Sequence, residues 1–186
     1  NVPGFKMGPS MHNKKILITG GNGGIGFETA KALIGLGADV VIASRASAKT
    51  DAALTALGPR ARHIAVDLSD LDSVRGLADA YLAEYAQLDV LINNAGLFPT
   101  KQKLTQQGFE MQFGVNHLSH FLLTQLLLPL MLKQPSARVI SVSSMLHQKA
   151  KLDFATFKGA AKYNGQRAYG QSKLANVLFA FELASR

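Results

Sequence analysis

Tyr169 and Lys173 are the residues whose types and spacing point most directly to chemistry. Four residues apart in a helical pattern, their side chains share one face. A phenol with its ordinary pKa near 10 is a poor base at neutral pH, and an ammonium beside it favours the phenolate. Such a pair can take a proton from a hydroxyl or give one to a carbonyl oxygen. A tyrosine beside a solvated surface lysine has the same spacing, so the pair alone does not decide. A second stretch, Thr19-Gly20-Gly21-Asn22-Gly23-Gly24-Ile25-Gly26, follows the apolar run Ile16-Leu17-Ile18 and opens a helical pattern carrying Ile25, Ala30, Leu33 and Ile34. Backbone amides left uncovered at such a helix start suit a phosphate or pyrophosphate, and glycine keeps Cβ atoms out of the way. Strand, glycine turn and helix also occur where nothing binds.

The elements that must position these residues alternate. The segment from Lys15 to Ser44 reads as strand, helix and strand, with Val40-Val41-Ile42-Ala43 as the second strand, which suits a parallel crossover. A short helix is expected from Ala46 to Leu57, stopped by Gly58-Pro59, and His63 to Val66 forms a third strand closed by Asp67. Ser69 and Asp70 suit an N-cap for a helix reaching about Tyr85, with Leu71, Val74, Leu77, Ala78 and Leu82 on one face. Leu88 to Ile92 is a fourth strand ending in Asn93-Asn94-Ala95-Gly96. A long helix is expected from about Gln106 to Lys133, then a fifth strand over Val139 to Val142. A polar loop from Met145 to Gln166 precedes a last amphipathic helix, Arg167 to Ser185. The pattern predicts a doubly wound parallel α/β sheet of Rossmann type over residues 14–186, after an arm at 1–13 in which Met7 or Met11 is a candidate start.

Four motifs in order, Thr19-Gly20-x-x-x-Gly24-x-Gly26, Asn93-Asn94-Ala95-Gly96, Ser144 after the fifth strand and Tyr169-x-x-x-Lys173, resemble the signature of the short-chain dehydrogenase/reductase family from about Lys15 to the last residue. The resemblance implies an oxidoreductase that interconverts an alcohol and a carbonyl by hydride transfer with a nicotinamide, with Tyr169 as acid/base. By the same resemblance Ser144 bonds the substrate oxygen, and Lys173 also binds the nicotinamide ribose. Asn116 matches the family residue that holds a water in the proton path to Lys173; a buried Asn satisfied by backbone groups fits equally. Asn93 braces the sheet, while Ala95 and Gly96 let the backbone approach the cofactor. Thr19, Gly20, Asn22, Gly24, Ile25 and Gly26 cradle it, and Asp67 with Leu68 meets its adenine, with helix capping as the alternative for Asp67.

Cofactor choice is read after the second strand, where Ser44-Arg45 stands in place of an acidic residue. A guanidinium pairs with a 2′-phosphate that a carboxylate would repel, so NADP is favoured over NAD unless Arg45 is a plain surface residue. Asp39 lies too early in that strand to serve. The loop after Ser144 and the run Ser172-Lys173-Leu174-Ala175-Asn176 are similar to the retinol-dehydrogenase-like branch, with WW-domain oxidoreductases and protochlorophyllide reductases. A bulky apolar substrate is therefore expected. Family members continue through a further helix and two strands beyond the position of Arg186. A fragment of a longer protein, or a truncated form lacking those parts, is therefore expected, with strand order 3-2-1-4-5 and an open edge at the fifth strand. The alternative function is a cofactor-binding or interaction module without turnover.

Bulk properties bound these readings. The 186 residues make one domain, and 47% hydrophobic with 17% charged residues is a globular composition. The net charge of +8 is scattered along the chain, which argues for a solvated surface over a nucleic-acid face. The apolar segment Leu118 to Leu132 is interrupted by His120, Thr124, Gln125 and Pro129 and is too short for a membrane span. No cysteine occurs, compatible with a reducing, cytoplasmic setting. His117 and His120 lack a carboxylate to complete a metal set and, with His147, are read as packing residues, so no metal is expected. Leu123, Leu127, Leu130, Phe179 and Leu183 on the long and terminal helices suggest a homodimer face.

Overall fold

A computed structural model of the chain describes residues 10–186. Five short apolar runs form one parallel sheet: β1 (Lys15–Thr19), β2 (Asp39–Ser44), β3 (Ala61–Ala65), β4 (Val90–Asn93) and β5 (Arg138–Ser141). Their order is β3-β2-β1-β4-β5, as the alternation of strands and helices predicts. Side chains of adjacent strand residues go to opposite faces. Leu17, Val41 and Leu91 therefore join Val74, Leu77 and Tyr81 of α3 (Leu71–Glu84) and Leu123 and Leu127 of α5 (Ser119–Met131). Ile16, Ile18, Val40, Ile42 and Ile92 face the other way, toward Ala30 of α1 (Gly24–Gly35) and Leu57 of α2 (Ala48–Leu57). With helices on both faces, β1 is buried on both, as parallel sheets require.

The long helix differs from expectation at its start. It begins at α4 (Met111–Phe113), continues through a π-helical turn (Gly114–Leu118) and becomes α5. Residues Thr105 to Glu110 instead fold into a tight turn: Thr105 N donates to Phe109 O, Phe109 N to Thr105 Oγ1, and Gly108 has φ 78°. The Glu110 carboxylate then accepts from Gln112 N (2.9 Å) and Phe113 N (2.8 Å), so the helix is capped there. The terminal helix, α6 (Gly165–Ala184), starts two residues earlier than predicted because Asn164 Oδ1 accepts from Arg167 N at 2.9 Å.

Three apolar assignments also change. Ile25 is 75% exposed and lies off the core face of α1. On α3 the buried fourth position is Tyr81, with Leu82 45% exposed, because Tyr81 continues the i, i+3, i+4, i+7 face set by Val74, Leu77 and Ala78. Leu123, Leu127 and Leu130 are core residues, so they supply no dimer surface. The expected polar loop after Ser144 contains 3₁₀ turns at Met145–Lys149 and Phe154–Thr156.

Of the predicted arm, residues 1–9 lie outside the described residues. Met11 packs against the β1–β2 face, and its N donates to Leu36 O at 2.9 Å. Among the described residues no helix is long and apolar enough to cross a membrane. β5 forms one edge of the sheet, and Ile140 on it is 46% exposed.

Candidate active site

A cleft of about 830 Å³ opens beyond the carboxyl ends of β1 to β4. It brings together Gly20, Asn22, Arg45, Asp67, Leu68, Ala95 and Gly96, seven of the residues singled out in the sequence, and adds Ser47, Lys49, Phe98 and Lys103. Two glycines explain its shape. Gly20 holds φ +70°, a conformation L side chains rarely adopt, and turns the chain off β1. A Cβ on Gly26 would overlap the backbone oxygen of Gly20, so the first turn of α1 packs directly on the strand end. Gly24 and Ile25 form the exposed start of α1.

Thr19 and Asn93 lie buried beneath the cleft. Thr19 Oγ1 accepts from Asn94 N and Ala95 N, each at 3.0 Å, and Asn94 Nδ2 donates to Thr19 O at 2.8 Å. These bonds lock the ends of β1 and β4 side by side. Asn93 Nδ2 donates to Thr124 Oγ1 at 3.0 Å, tying β4 to α5, while its Oδ1 is buried without a protein partner. Among the described residues Arg45 pairs with no carboxylate. Its side chain is exposed at the end of β2, on the same wall as Ser47 and Lys49. Asp67 Oδ1 accepts from Ser69 N (2.9 Å) and Ser69 Oγ (2.7 Å), while Asp70 caps α3. Asp67 thus braces its loop and leaves the helix cap to its neighbour.

On the other side of Gly96 stand Asn116 and Lys173, with Tyr169 beside Lys173. A Cβ built on Gly96 would sit 3.4 Å from Lys173 Nζ and 3.5 Å from Asn116 Oδ1, so the cleft floor and the Tyr–Lys helix meet there. Lys173 is only 3% exposed, and its Nζ donates to Val142 O at 3.1 Å and lies 5.5 Å from the Tyr169 ring centre. Burial pushes the Lys173 ammonium below its ordinary pKa. Tyr169 is half-buried, with the Phe98 ring edge-on at 5.0 Å. Ser143 Oγ donates to Lys173 O at 2.9 Å, whereas Ser144 Oγ accepts from Leu146 N at 3.3 Å.

Asn116 is satisfied by its surroundings. Its Oδ1 accepts from Leu97 N (2.9 Å), and its Nδ2 donates to Leu97 O (3.1 Å) and Ser172 Oγ (3.0 Å). Asn116 lies in the π turn, and Asn176 Nδ2 donates to its backbone carbonyl at 3.0 Å. Asn116 therefore links the loop after β4 to α6 through both its side chain and its backbone.

Sequence reasoning missed part of this framework. Glu110 and Gln112, both buried, hold Tyr163 Oη at 2.9 and 2.8 Å, and Gln112 Nε2 also donates to Gly165 O at 2.8 Å, which fixes the start of α6. His120, read as a packing residue, bonds Thr19 Oγ1 at 2.7 Å. Polar residues at 112, 116, 120 and 124, four apart on an otherwise apolar helix, carried that signal. His117 Nδ1 pairs with Asn176 Oδ1 at 3.1 Å, and His147 Nδ1 with Ser144 O at 2.6 Å. Among the described residues no three His, Cys, Asp or Glu side chains gather as a metal site.

Comparison with known proteins agrees with this geometry. The family model described as short chain dehydrogenase matches residues 14–186. Human retinol dehydrogenase 14 is 42% identical over 194 residues, covering 95% of this chain and 58% of its own length. Mouse retinol dehydrogenase 12 is 45% identical over 178 residues, covering 93% of this chain and 56% of its own. The chain thus spans little more than half the length of these relatives. A crystal structure of an uncharacterised protein from Mycobacterium paratuberculosis superposes with a TM-score of 0.85 at 41% identity, covering 96% of this chain and 64% of that one. A short chain dehydrogenase from Shigella flexneri complexed with NADP superposes with a TM-score of 0.76 at 25% identity, covering 94% of this chain and 72% of that one.

Proposed function

The chain belongs to the short-chain dehydrogenase/reductase family, and on that footing we propose that it serves an NADP-dependent interconversion of an alcohol and a carbonyl, with Tyr169 as the acid/base. The observation that carries this reading is the placement of Lys173, a buried ammonium between Val142 O, the Tyr169 ring and the Gly96 floor of the cleft. A cation held away from water exerts a stronger field than a solvated one and stabilises negative charge on the phenol oxygen as its proton leaves. Ser144, three residues past the end of β5, would hydrogen-bond the same substrate oxygen. Asn116 ties the loop carrying Leu97 to Ser172 beside Lys173, so it holds the two halves of the site in register.

The residues present fit a dinucleotide. The cleft volume, the direct packing of Gly26 on Gly20 and an Arg45 that pairs with no carboxylate among the described residues are what a phosphate-bearing ligand needs. NADP, when bound, supplies the hydride. Arg45 would hold its 2′-phosphate, with Lys49 and Ser47 on the same wall, while the start of α1 would face its pyrophosphate. Phe98 against Tyr169, with Met145 and Leu146 exposed after Ser144, makes the substrate side apolar. That suits a bulky apolar alcohol or carbonyl, the class to which the retinol in the relatives' names belongs.

Tyr169→Phe tests the assignment. It is expected to lower turnover of an aldehyde and ketone panel by at least about a hundredfold while leaving NADPH affinity near the parent value. Unchanged turnover would sink the acid/base role. A second reading, nucleotide binding without turnover, is favoured by the exposure of Met145, which follows Ser144. NADPH binding by calorimetry with no carbonyl reduction supports it, and robust reduction rules it out.

A further inference from the structure

His120 is buried at the start of α5, and both of its ring nitrogens are engaged. Its Nδ1 lies 3.1 Å from Asn116 O and its Nε2 lies 2.7 Å from Thr19 Oγ1. A backbone carbonyl can only accept, so the ring proton sits on Nδ1 and Nε2 is left as an acceptor. The Thr19 hydroxyl must therefore donate to Nε2. Its remaining lone pairs then face Asn94 N and Ala95 N, each 3.0 Å away. Every hydrogen-bonding capacity of Thr19 Oγ1 and of the His120 ring is used, and the direction of each bond follows from the one before it. Burial holds the imidazole neutral by lowering its pKa to about 4, which keeps Nε2 free to accept.

We propose that His120 is a positioning residue for the cofactor cleft: by accepting the Thr19 proton it fixes the orientation of that hydroxyl, and so the two backbone amides that shape the floor between the glycine turn and Gly96. The proposal rests on the cofactor-binding reading of the cleft. The chain from Asn94 and Ala95 through Thr19 and His120 ends at the Asn116 carbonyl, which also receives Asn176 Nδ2 of α6. One ring thus links the floor under the cofactor to the helix carrying Tyr169 and Lys173. A merely space-filling histidine would not need this tautomer.

Two substitutions separate the two ends of the ring. In His120→Gln the side-chain oxygen takes the place of Nε2 and keeps an acceptor for Thr19. In His120→Asn the amide takes the place of Nδ1, keeps the bond to Asn116 O and leaves the Thr19 proton without a partner. NADPH binding by calorimetry and hydrogen exchange at the Asn94 and Ala95 amides are read on the full chain. His120→Asn is expected to weaken NADPH and speed exchange at both amides by roughly tenfold, as loss of one buried hydrogen bond would, with His120→Gln within about twofold of the parent. Equal behaviour of the two variants, whether both impaired or both like the parent, overturns the proposal. If the parent binds neither NADPH nor NADH, the cofactor reading fails, and the same exchange comparison still judges His120. Should His120→Asn not fold, Thr19→Val must speed exchange at the same two amides, and unchanged protection there overturns the proposal.

Discussion

At the scale of single residues, charge decides both the cofactor and the response to pH. Arg45 stands exposed with no carboxylate partner among the described residues, so a 2′-phosphate would meet an unshared guanidinium. Arg45→Asp turns that charge-assisted pair into a repulsion and is expected to weaken NADPH by about 2 kcal/mol or more, some thirtyfold, with NADH unchanged or tighter. Calorimetry with both nucleotides checks this, and equal losses would mean only that the fold is damaged. His120 gives a pH prediction. Its folded pKa, lowered to about 4 by burial and by the facing Lys173 and His117, lies below its ordinary 6.5. Between these values the unfolded chain binds the extra proton, so stability falls as pH drops from 6.5 toward 4. The full effect is about 3 kcal/mol. Denaturant midpoints of the parent should fall across that window, and those of His120→Gln should fall less; parallel curves would refute the assignment.

At the scale of elements, legibility followed how local the cause was. β1 and β4 were readable because short apolar runs followed by glycine or asparagine leave few alternatives, β2 because its apolar run follows the Gly35–Gly37 helix stop, and their order follows from parallel crossovers. The onset at Met111 was not readable, because the apolar periodicity continues upstream while Gly108 at positive φ and the Glu110 cap break the helix. Tyr81 displaced Leu82 because the helical phase, not hydrophobicity, selects the buried face. The cleft residues were legible as motifs, whereas the four-residue polar spacing marks His120 and Gln112 as buried polar groups but does not name their partners, which lie about a hundred and about fifty positions away, respectively. Two glycines show the same contrast in stability. Gly76, inside α3 with open space where its Cβ would go, is expected to gain about 0.5–1 kcal/mol as Gly76→Ala, raising Tm by a few degrees. Gly26→Ala meets the backbone of Gly20, which cannot step aside, and should lower Tm and abolish NADPH binding. Thermal melts of the two variants should move in opposite directions.

At the scale of the molecule, the question is what covers the surface that the sheet and helices leave open. Leu123, Leu127 and Leu130 turn inward, which removes them from any interface. A different apolar surface replaces them on the same helix pair. Phe121 of α5 meets Phe179 of α6 edge-on at 5.4 Å, and Leu178 and Phe181 of α6 are exposed, the latter by 74%. Beside them β5 presents the outer edge of the sheet, with Ile140 half out in solvent. An unpaired strand edge next to exposed aromatic residues favours association, since natural sheets usually guard such edges with charge or cover them. We therefore expect the chain to self-associate, with light scattering over a dilution series giving a mass above the 19.9 kDa of one chain. Two variants apportion the effect. Ile140→Lys places a charge on the strand edge and should suppress edge pairing, while Phe121→Glu should suppress docking of the helix pair, and neither side chain lies in the cleft. If the edge dominates, Ile140→Lys alone restores a monomer; if the helices dominate, Phe121→Glu does so. A parent that stays monodisperse at one-chain mass up to high micromolar concentration would show that this surface does not drive association.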